Sequence, residues 1–313
     1  MSVKIAVITG PTATGKTRLG IMLAQRLGGD IISGDSMQLY RGMDVGTAKP
    51  TAAELAAAPH HMIDVADPAE EWSVSRYVEA ASAAVDGAAA RGRLPIVVGG
   101  TGLYIDSLVR GTQFGERSER GNICRAELES RYDEIGGRAM LTELSQVDPE
   151  RAAKLAPADK KRIVRAMEVF LLTGKTITEL DRESRAAPPR YDAAYIILDY
   201  EDRADLYARI DARVDEMVAG GLFEEVERVF ASGVSGTARQ AIGYKEAAEA
   251  LAGNISRAEA VELIKRESRR YAKRQLTWLR KKPDALWIRH GAEPDFERAA
   301  RDSTAFLAAH GII

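Results

Sequence analysis

Gly10-Pro11-Thr12-Ala13-Thr14-Gly15-Lys16-Thr17 stands between the apolar run Val3-Lys4-Ile5-Ala6-Val7-Ile8 and an amphipathic stretch over residues 18–27. Strand, glycine loop and helix in that order is the setting of a phosphate-binding P-loop. The two glycines let the backbone turn its N–H groups inward, and the following helix adds its positive end. Lys16 then reaches a terminal phosphate, and the Thr17 hydroxyl is a ligand for Mg²⁺. The pattern predicts a di- or triphosphate site built on the first strand.

Further strand-like runs are Asp30-Ile31-Ile32-Ser33, Leu94-Pro95-Ile96-Val97-Val98, Tyr195-Ile196-Ile197-Leu198 and Ala285-Leu286-Trp287-Ile288. Helical periodicity lies between them, over 16–27, 73–91, 103–109, 203–231 and 256–281. Apolar strands alternating with helices predict an α/β fold with a parallel sheet covered on both faces. Residues 111–189 break the alternation: no strand-like run is present, and Arg, Glu and Ala dominate. They read as a helical insertion with helices near 124–135, 137–146, 149–155 and 159–173 and hinges at 111–121 and 184–190. The expected domains are a core of 1–112 with 190–313 and an insertion of 113–189.

With 313 residues, 45% hydrophobic and 29% charged, the chain matches an ordinary globular protein. A net charge of -2 means that any nucleic-acid surface has to be local. The single cysteine, Cys124, excludes an internal disulfide and a cysteine-rich zinc module, and suits a reducing compartment. No apolar run approaches the roughly 20 residues that span a bilayer. The chain enters its first strand at once, so no signal or transit peptide is expected, and it reads as cytoplasmic.

Several segments carry candidate chemistry. Asp35, in Ser33-Gly34-Asp35-Ser36-Met37-Gln38, follows the second strand on the side of the phosphate loop. There it could take a proton from an acceptor, hold Mg²⁺ through water, or cap a short following helix. After the third long strand, Val98-Gly99-Gly100-Thr101-Gly102-Leu103-Tyr104 has glycines where a nucleotide hydrolase carries an Asp. Such glycines imply close backbone approach, and the Thr101 hydroxyl suits a base edge. Lys49 is a phosphate contact or a solvated lysine, and His60-His61 offers at most one site residue, packing being the alternative.

Two basic elements stand out: Asp159-Lys160-Lys161-Arg162-Ile163-Val164-Arg165, and the 256–282 helix with Arg266, Arg270, Lys273, Arg280, Lys281 and Lys282. Together they predict a phosphate-neutralising surface, unless each is simply a solvated face. On the same long helix Val261, Ile264, Ser268, Tyr271, Gln275 and Leu279 trace the packing face, with Trp278 at its edge. Within Gln240-Ala241-Ile242-Gly243-Tyr244-Lys245-Glu246, Tyr244 either stacks on an unpaired base or belongs to the core.

These segments, in this order, closely resemble the bacterial-type tRNA dimethylallyltransferases, also called tRNA isopentenyltransferases. The resemblance runs through Gly10 to Thr17, Asp35 to Gln38 with Lys49-Pro50, His60-His61-Met62-Ile63-Asp64, Gly99 to Tyr104, the Asp159 stretch, the Gln240 stretch and Arg269-Arg270-Tyr271-Ala272-Lys273-Arg274-Gln275-Leu276-Thr277-Trp278. It implies a P-loop NTPase-like core with an inserted helical subdomain. The implied reaction moves a dimethylallyl group from dimethylallyl diphosphate to N6 of the adenosine 3′ of the anticodon, position 37, in tRNAs reading codons that begin with U. The enzyme would be a Mg²⁺-dependent monomer that binds the tRNA anticodon stem-loop, with the adenosine flipped into a channel beside the insertion.

By the same resemblance, Asp35 is the general base and Thr101 fixes the adenine. Gly10, Pro11, Thr12, Ala13, Thr14, Gly15, Lys16 and Thr17 hold the diphosphate, and Thr17 holds the metal. Arg213 matches an arginine tied to the diphosphate site, its alternative being a pair with Asp211, Asp215 or Glu216. Asp35, Ser36, Met37, Gln38, Thr101, Asp159, Lys160, Lys161, Arg162, Ile163, Gln240, Ala241, Ile242, Gly243, Tyr244 and Lys245 match the tRNA-contacting positions. Arg125 matches the arginine that opens the insertion helix, while the 111–126 segment and Ala156-Pro157-Ala158 depart from the family pattern. Other readings of the same loop are a small-molecule kinase, a prenyltransferase acting on free AMP, and an RNA-binding switch. The kinase leaves the basic helix and the Gly99–Tyr104 turn unexplained, the AMP-type enzymes lack most of the insertion and the basic tail, and Lys16, Thr17 and Asp35 together argue against the switch.

Overall fold

The computed structural model describes residues 2–112 and 119–313, so most of the expected 111–121 hinge, with Phe114-Gly115-Glu116-Arg117-Ser118, lies outside the described residues. In chain order the first elements are β1 (Val3–Thr9), α1 (Lys16–Leu27), β2 (Gly29–Ser33), α2 (Ala52–Ala57), β3 (His60–His61), α3 (Val74–Ala90), β4 (Leu94–Gly99) and α4 (Gly102–Arg110). Five helices follow: α5 (Glu119–Ile135), α6 (Gly137–Val147), α7 (Pro149–Ala152), α8 (Lys160–Thr173) and α9 (Ile177–Ala186). The rest comprises β5 (Tyr191–Tyr200), α10 (Arg203–Ala219), α11 (Leu222–Ala231), α12 (Gly236–Arg239), α13 (Tyr244–Leu251), α14 (Arg257–Leu279), β6 (Leu286–His290) and α15 (Phe296–Ala309). Contacts divide the chain into two compact units, Met1–Gly111 with Arg190–Ile313, and Thr112–Pro189.

The first unit is built on one six-stranded sheet, ordered β3-β2-β4-β1-β5-β6, with every pairing parallel. The middles of its inner strands are apolar because helices cover both faces. Alternate residues of β5 show this: Ala194, Ile196 and Leu198 pack with Leu19 and Leu23 of α1 and Leu307 of α15, whereas Ile197 packs with Leu206 and Ile210 of α10 and Leu276 of α14. Parallel strands end on one edge, so the turns after β1, β2 and β4 converge there. Gly99 is needed at that edge for packing, since a Cβ on it would overlap the Gly34 backbone.

The expected 203–231 helix is two helices, because Gly220 and Gly221 break it and Gly221 adopts φ 94°. The helix expected after Asp35 is absent; residues 35–39 form turns and bends. Helix α9 occupies the start of the expected 184–190 hinge, and α15 has no counterpart in the periodicity reading.

Among the described residues the second unit is helical, with Leu128, Met140, Ile163 and Val164 at the centre of one apolar cluster. The buried Glu168 carboxylate is held by Arg125 at 2.7 Å and Arg165 at 2.8 Å. Asp148 caps α7 through the Arg151 N–H and accepts the Thr178 hydroxyl at 2.6 Å, tying α9 to it.

Asp30, at the start of β2, has a side chain only 2% exposed, and it is bonded by His61, Arg91 and Arg93. Burial alone raises its pKa, but the three bonds prevail and hold it at about 2. A carboxyl depressed in the folded state stabilises the fold above its ordinary pKa and ceases to as pH falls from about 4 to 2. With partly exposed partners the contribution is about 1–2 kcal/mol. Asp30→Asn is expected to lower the denaturation midpoint at pH 7, with the gap to wild type closing as pH falls through that window. A gap independent of pH would contradict this assignment.

Candidate active site

The phosphate loop is closed on itself by the Thr14 hydroxyl, which donates to the Pro11 carbonyl at 2.9 Å. Gly15 caps α1 at φ 81°, and the Phe296 ring fills the place a Cβ would take. Gln275 of α14 holds the loop from outside: its Oε1 accepts the Thr12 N–H at 2.9 Å, and its Nε2 donates to the Gly100 carbonyl at 3.0 Å. One buried amide thus fixes the turn after β1 against the turn after β4. Tyr271, one turn earlier, donates to the same carbonyl at 3.4 Å. Burial, then the Asp35 charge, pushes the Tyr271 hydroxyl up to about 12, so it stays a donor.

Beside the loop is a cleft of about 740 Å³, open mouth included. Lys16, Thr17, Asp35 and Arg213 line its polar part; Ile31, Ala48, Pro50, Ile63 and Val98 line its apolar part. The Lys16 ammonium donates to the Pro11 carbonyl at 2.6 Å. Burial, then the Arg213 guanidinium, pushes it down to about 7, with Asp35 pulling the other way.

The three α10 carboxylates near Arg213 in sequence each have another partner: Asp211 with Arg269, Asp215 with Lys265 at 2.7 Å, and Glu216 with Arg209 at 3.7 Å. Arg213 Nε is buried with no hydrogen-bond partner among the described residues, and burial lowers the guanidinium pKa while Asp35 and then Glu216 oppose the shift. Two cations facing one cleft with incomplete compensation make a site for a polyanion.

Asp35 is set by a local turn, its Oδ1 accepting the Met37 N–H at 2.8 Å, and among the described residues its Oδ2 takes no further bond. It therefore caps a turn rather than a helix. Thr101 accepts the Ser36 N–H at 3.1 Å and donates to Ser36 Oγ at 3.3 Å, locking the start of α4 to the Asp35 turn. The two adjacent histidines diverge as extended residues do: His60 lines the cleft, and His61 turns to Asp30 at 2.9 Å. Lys49 is not a solvated lysine; its side chain, 4% exposed, bonds the Tyr40 carbonyl, Asp44 and Asp64, pinning the loop after β2.

Among the positions matched to tRNA contacts, three side chains are core. Tyr244 is fully buried with its hydroxyl donating to Glu225, whose carboxylate also accepts the Asp44, Val45 and Gly46 N–H groups. Ile163 is fully buried in the second unit, and Ala241 is 5% exposed. These three shape a surface and do not present a side chain on it, because their apolar bulk is taken up by packing. Gln240, Lys161 and Arg162 are exposed, Lys160 bonds Asp133 at 2.6 Å, and Asp159 accepts the Ala156 N–H at 3.1 Å. Ile242 and Lys245 are half-buried, and Arg125 serves Glu168. On α14, Arg266, Arg270, Lys273 and Arg274 are exposed, but Lys282 is not part of that stripe, since it bonds Asp106 at 2.5 Å over the Tyr195 ring.

Periodicity gave Tyr271 and Gln275 only a packing role. Their polar ends in an otherwise apolar stripe were the signal that they also bond something at the cleft.

Residues 38–282 match the family described as IPP transferase, and residues 3–66 match the isopentenyl transferase family. The chain is 44% identical over 310 residues to the tRNA dimethylallyltransferase of Halalkalibacterium halodurans, with 98% of each chain covered. It is 48% identical over 301 residues to that of Anaeromyxobacter sp. (strain K), covering 95% of this chain and 96% of the relative. Among solved structures, the tRNA isopentenylpyrophosphate transferase of Bacillus halodurans superimposes with a TM-score of 0.72 at 41% identity, covering 98% and 96% of the two chains. A eukaryotic dimethylallyltransferase acting on tRNA gives 0.80 at 27% identity, over 98% of this chain and 80% of that one.

An anion on Lys16 favours its charged form, so binding takes up a proton wherever the free site has released one. Dimethylallyl diphosphate, whose ester diphosphate is already fully ionised at pH 8, is therefore expected to bind with net proton uptake at that pH, and to weaken as pH rises from about 8 toward 10. Calorimetry in buffers of different ionisation enthalpy reads this directly; equal heats in all buffers would contradict the shifted lysine. Gln275→Ala is expected to weaken the same binding by roughly tenfold through the loosened loop, and unchanged affinity would remove the bridge from the account.

Proposed function

Since this chain belongs to the tRNA dimethylallyltransferase family, we propose that it transfers a dimethylallyl group from dimethylallyl diphosphate to N6 of adenosine 37, 3′ of the anticodon, in tRNAs reading codons that begin with U. Diphosphate is the other product. The observation that carries the reading is one cleft with two incompletely compensated cations, an oriented carboxylate and an apolar wall. Those are the three parts of an allylic diphosphate transfer: a seat for the leaving group, a base, and a dry pocket for the prenyl chain.

The exocyclic amine of adenine is a weak nucleophile, its lone pair being delocalised into the ring. As N6 bonds to the allylic carbon, Asp35 Oδ2 takes the N6 proton, while the Met37 N–H keeps the carboxylate aimed. Lys16, Arg213 and the loop amides take up the charge growing on the departing diphosphate. Ile31, Ile63 and Val98 exclude water from the cationic allylic carbon. Thr101 holds the adenine beside the Asp35 turn.

A resident metal cage is absent among the described residues, where no three His, Cys, Asp or Glu side chains gather. The donors present fit a cation that arrives with diphosphate: the Thr17 hydroxyl, without a hydrogen bond among the described residues, shares the cleft with Asp35. These are hard oxygen ligands of the kind Mg²⁺ takes beside phosphate. Bound there, Mg²⁺ would neutralise leaving-group charge.

For tRNA, the exposed cations of α14 and Gln240 of the first unit supply contacts to the anticodon stem-loop. No described helix is long and apolar enough to cross a membrane. We read the protein as a cytoplasmic monomer.

Labelled dimethylallyl diphosphate offered to unmodified tRNA, with AMP as control, is expected to label only N6 of adenosine 37; label in AMP or none in tRNA would overturn the proposal. Asp35→Ala should lose roughly 10²–10⁴-fold in transfer while still binding diphosphate. Reversing Arg270 and Lys273 to Glu should weaken tRNA binding and flatten its salt dependence by about one unit of slope for each phosphate no longer neutralised. An unchanged slope would put the RNA elsewhere.

A further inference from the structure

Leu103 is the most exposed large apolar side chain among the described residues, at 63%. A lone surface leucine needs no explanation in general, but this one stands at a particular place. It is the second residue of α4, three beyond Gly100, which lines the cleft and is bonded by Tyr271 and Gln275. The neighbours that bury α4 point elsewhere: Tyr104 stacks on Tyr77 at 4.3 Å, and Ile105, Leu108 and Val109 are core. Leu103 thus falls on the solvent stripe with Asp106 and Arg110, where helical periodicity asks for a polar residue.

Its backbone is held on both sides. Thr101 is locked to Ser36, and Gly102 lies so close to the Trp278 indole that a Cβ there would come within 2.5 Å of the ring. Trp278 is fixed in turn by its Nε1–H donated to Asp106 at 2.6 Å. Four residues before Trp278 on α14, Arg274 is exposed above the Tyr271 ring, at 5.6 Å. The turn after β4 thus runs from Gly100 in the cleft to an exposed apolar side chain on a held backbone, and the helix that bonds this turn carries the exposed Arg274.

We infer that Leu103 is a wedge that enters the anticodon-loop stack at the place vacated by the flipped adenosine, with Arg274 on an adjoining phosphate. Taking a base out of a stack leaves an unstacked gap, and apolar side chains inserted at such steps are how proteins keep nucleic acid in the opened form. Leu103 is a positioning residue: it touches the neighbouring bases and leaves the chemistry to the cleft. This rests on the tRNA reading above.

The test uses an anticodon stem-loop with 2-aminopurine at position 37. That base lacks the reactive N6 amine, so its fluorescence reports extrusion without turnover. Wild type and Leu103→Met are expected to bind with a fluorescence rise; Leu103→Ser should bind with most of that rise lost. For the adenosine stem-loop, Leu103→Ser should lower kcat/KM roughly ten- to a hundredfold, with diphosphate affinity unchanged. A full rise and unchanged kcat/KM in Leu103→Ser would overturn the wedge, and so would equal losses in Leu103→Met and Leu103→Ser. Wild type that transfers no label to the stem-loop would sink the tRNA reading itself, a result distinguishable from both.

Discussion

Two cations that the fold declines to neutralise govern this molecule. Lys16 sits on the phosphate loop, and Arg213 comes from α10, far along the chain. The α10 carboxylates Asp211, Asp215 and Glu216 are each paired with another base, so among the described residues Arg213 keeps a buried, unpartnered Nε. Burying cations and bringing them together in one cleft is unfavourable: burial first, then Arg213, depresses the Lys16 pKa. Such an arrangement persists because a ligand supplies the missing negative charge. In the proposed reaction a diphosphate does so while it is substrate and still more as it departs, so that the same two groups would bind the donor and favour its ionisation.

The rest of the fold keeps that cleft in shape. A parallel sheet delivers the turns after β1, β2 and β4 to one edge, and side chains from late in the sequence brace them. Gln275 bridges two of these turns, Phe296 fills the space against Gly15, and Glu225 gathers three N–H groups of the loop after β2. Each brace is a buried, fully bonded polar group or a tightly packed ring, which suits a site that has to be rigid before substrate arrives.

How far the sequence could be read follows from what is local and what is not. The glycine loop, its strand and its helix are one contiguous pattern, and the alternation of apolar runs with helices gave the parallel sheet. Asp35 was legible because strand ends share an edge, although the helix it was expected to cap is a turn. Arg213 was different: its charge is obvious, but whether Asp211, Asp215 or Glu216 claims it depends on α14, which supplies Arg269 and Lys265. Tyr244 shows the same limit, since an aromatic between Gly243 and Lys245 fits a base platform and a core equally until Glu225 is in place. The break at Gly220-Gly221 was in plain view, but the apolar periodicity carried across it.

The central claim is that the donor's diphosphate sits on Lys16 and Arg213 with its allylic carbon toward Asp35. A crystal structure of the protein with the unreactive thio analogue of dimethylallyl diphosphate tests it most directly. The account predicts diphosphate oxygens within hydrogen-bond reach of the loop amides, Lys16 and Arg213, with the dimethylallyl group against Ile31, Ile63 and Val98. A diphosphate bound away from Arg213, or a prenyl chain directed into open solvent, would contradict it.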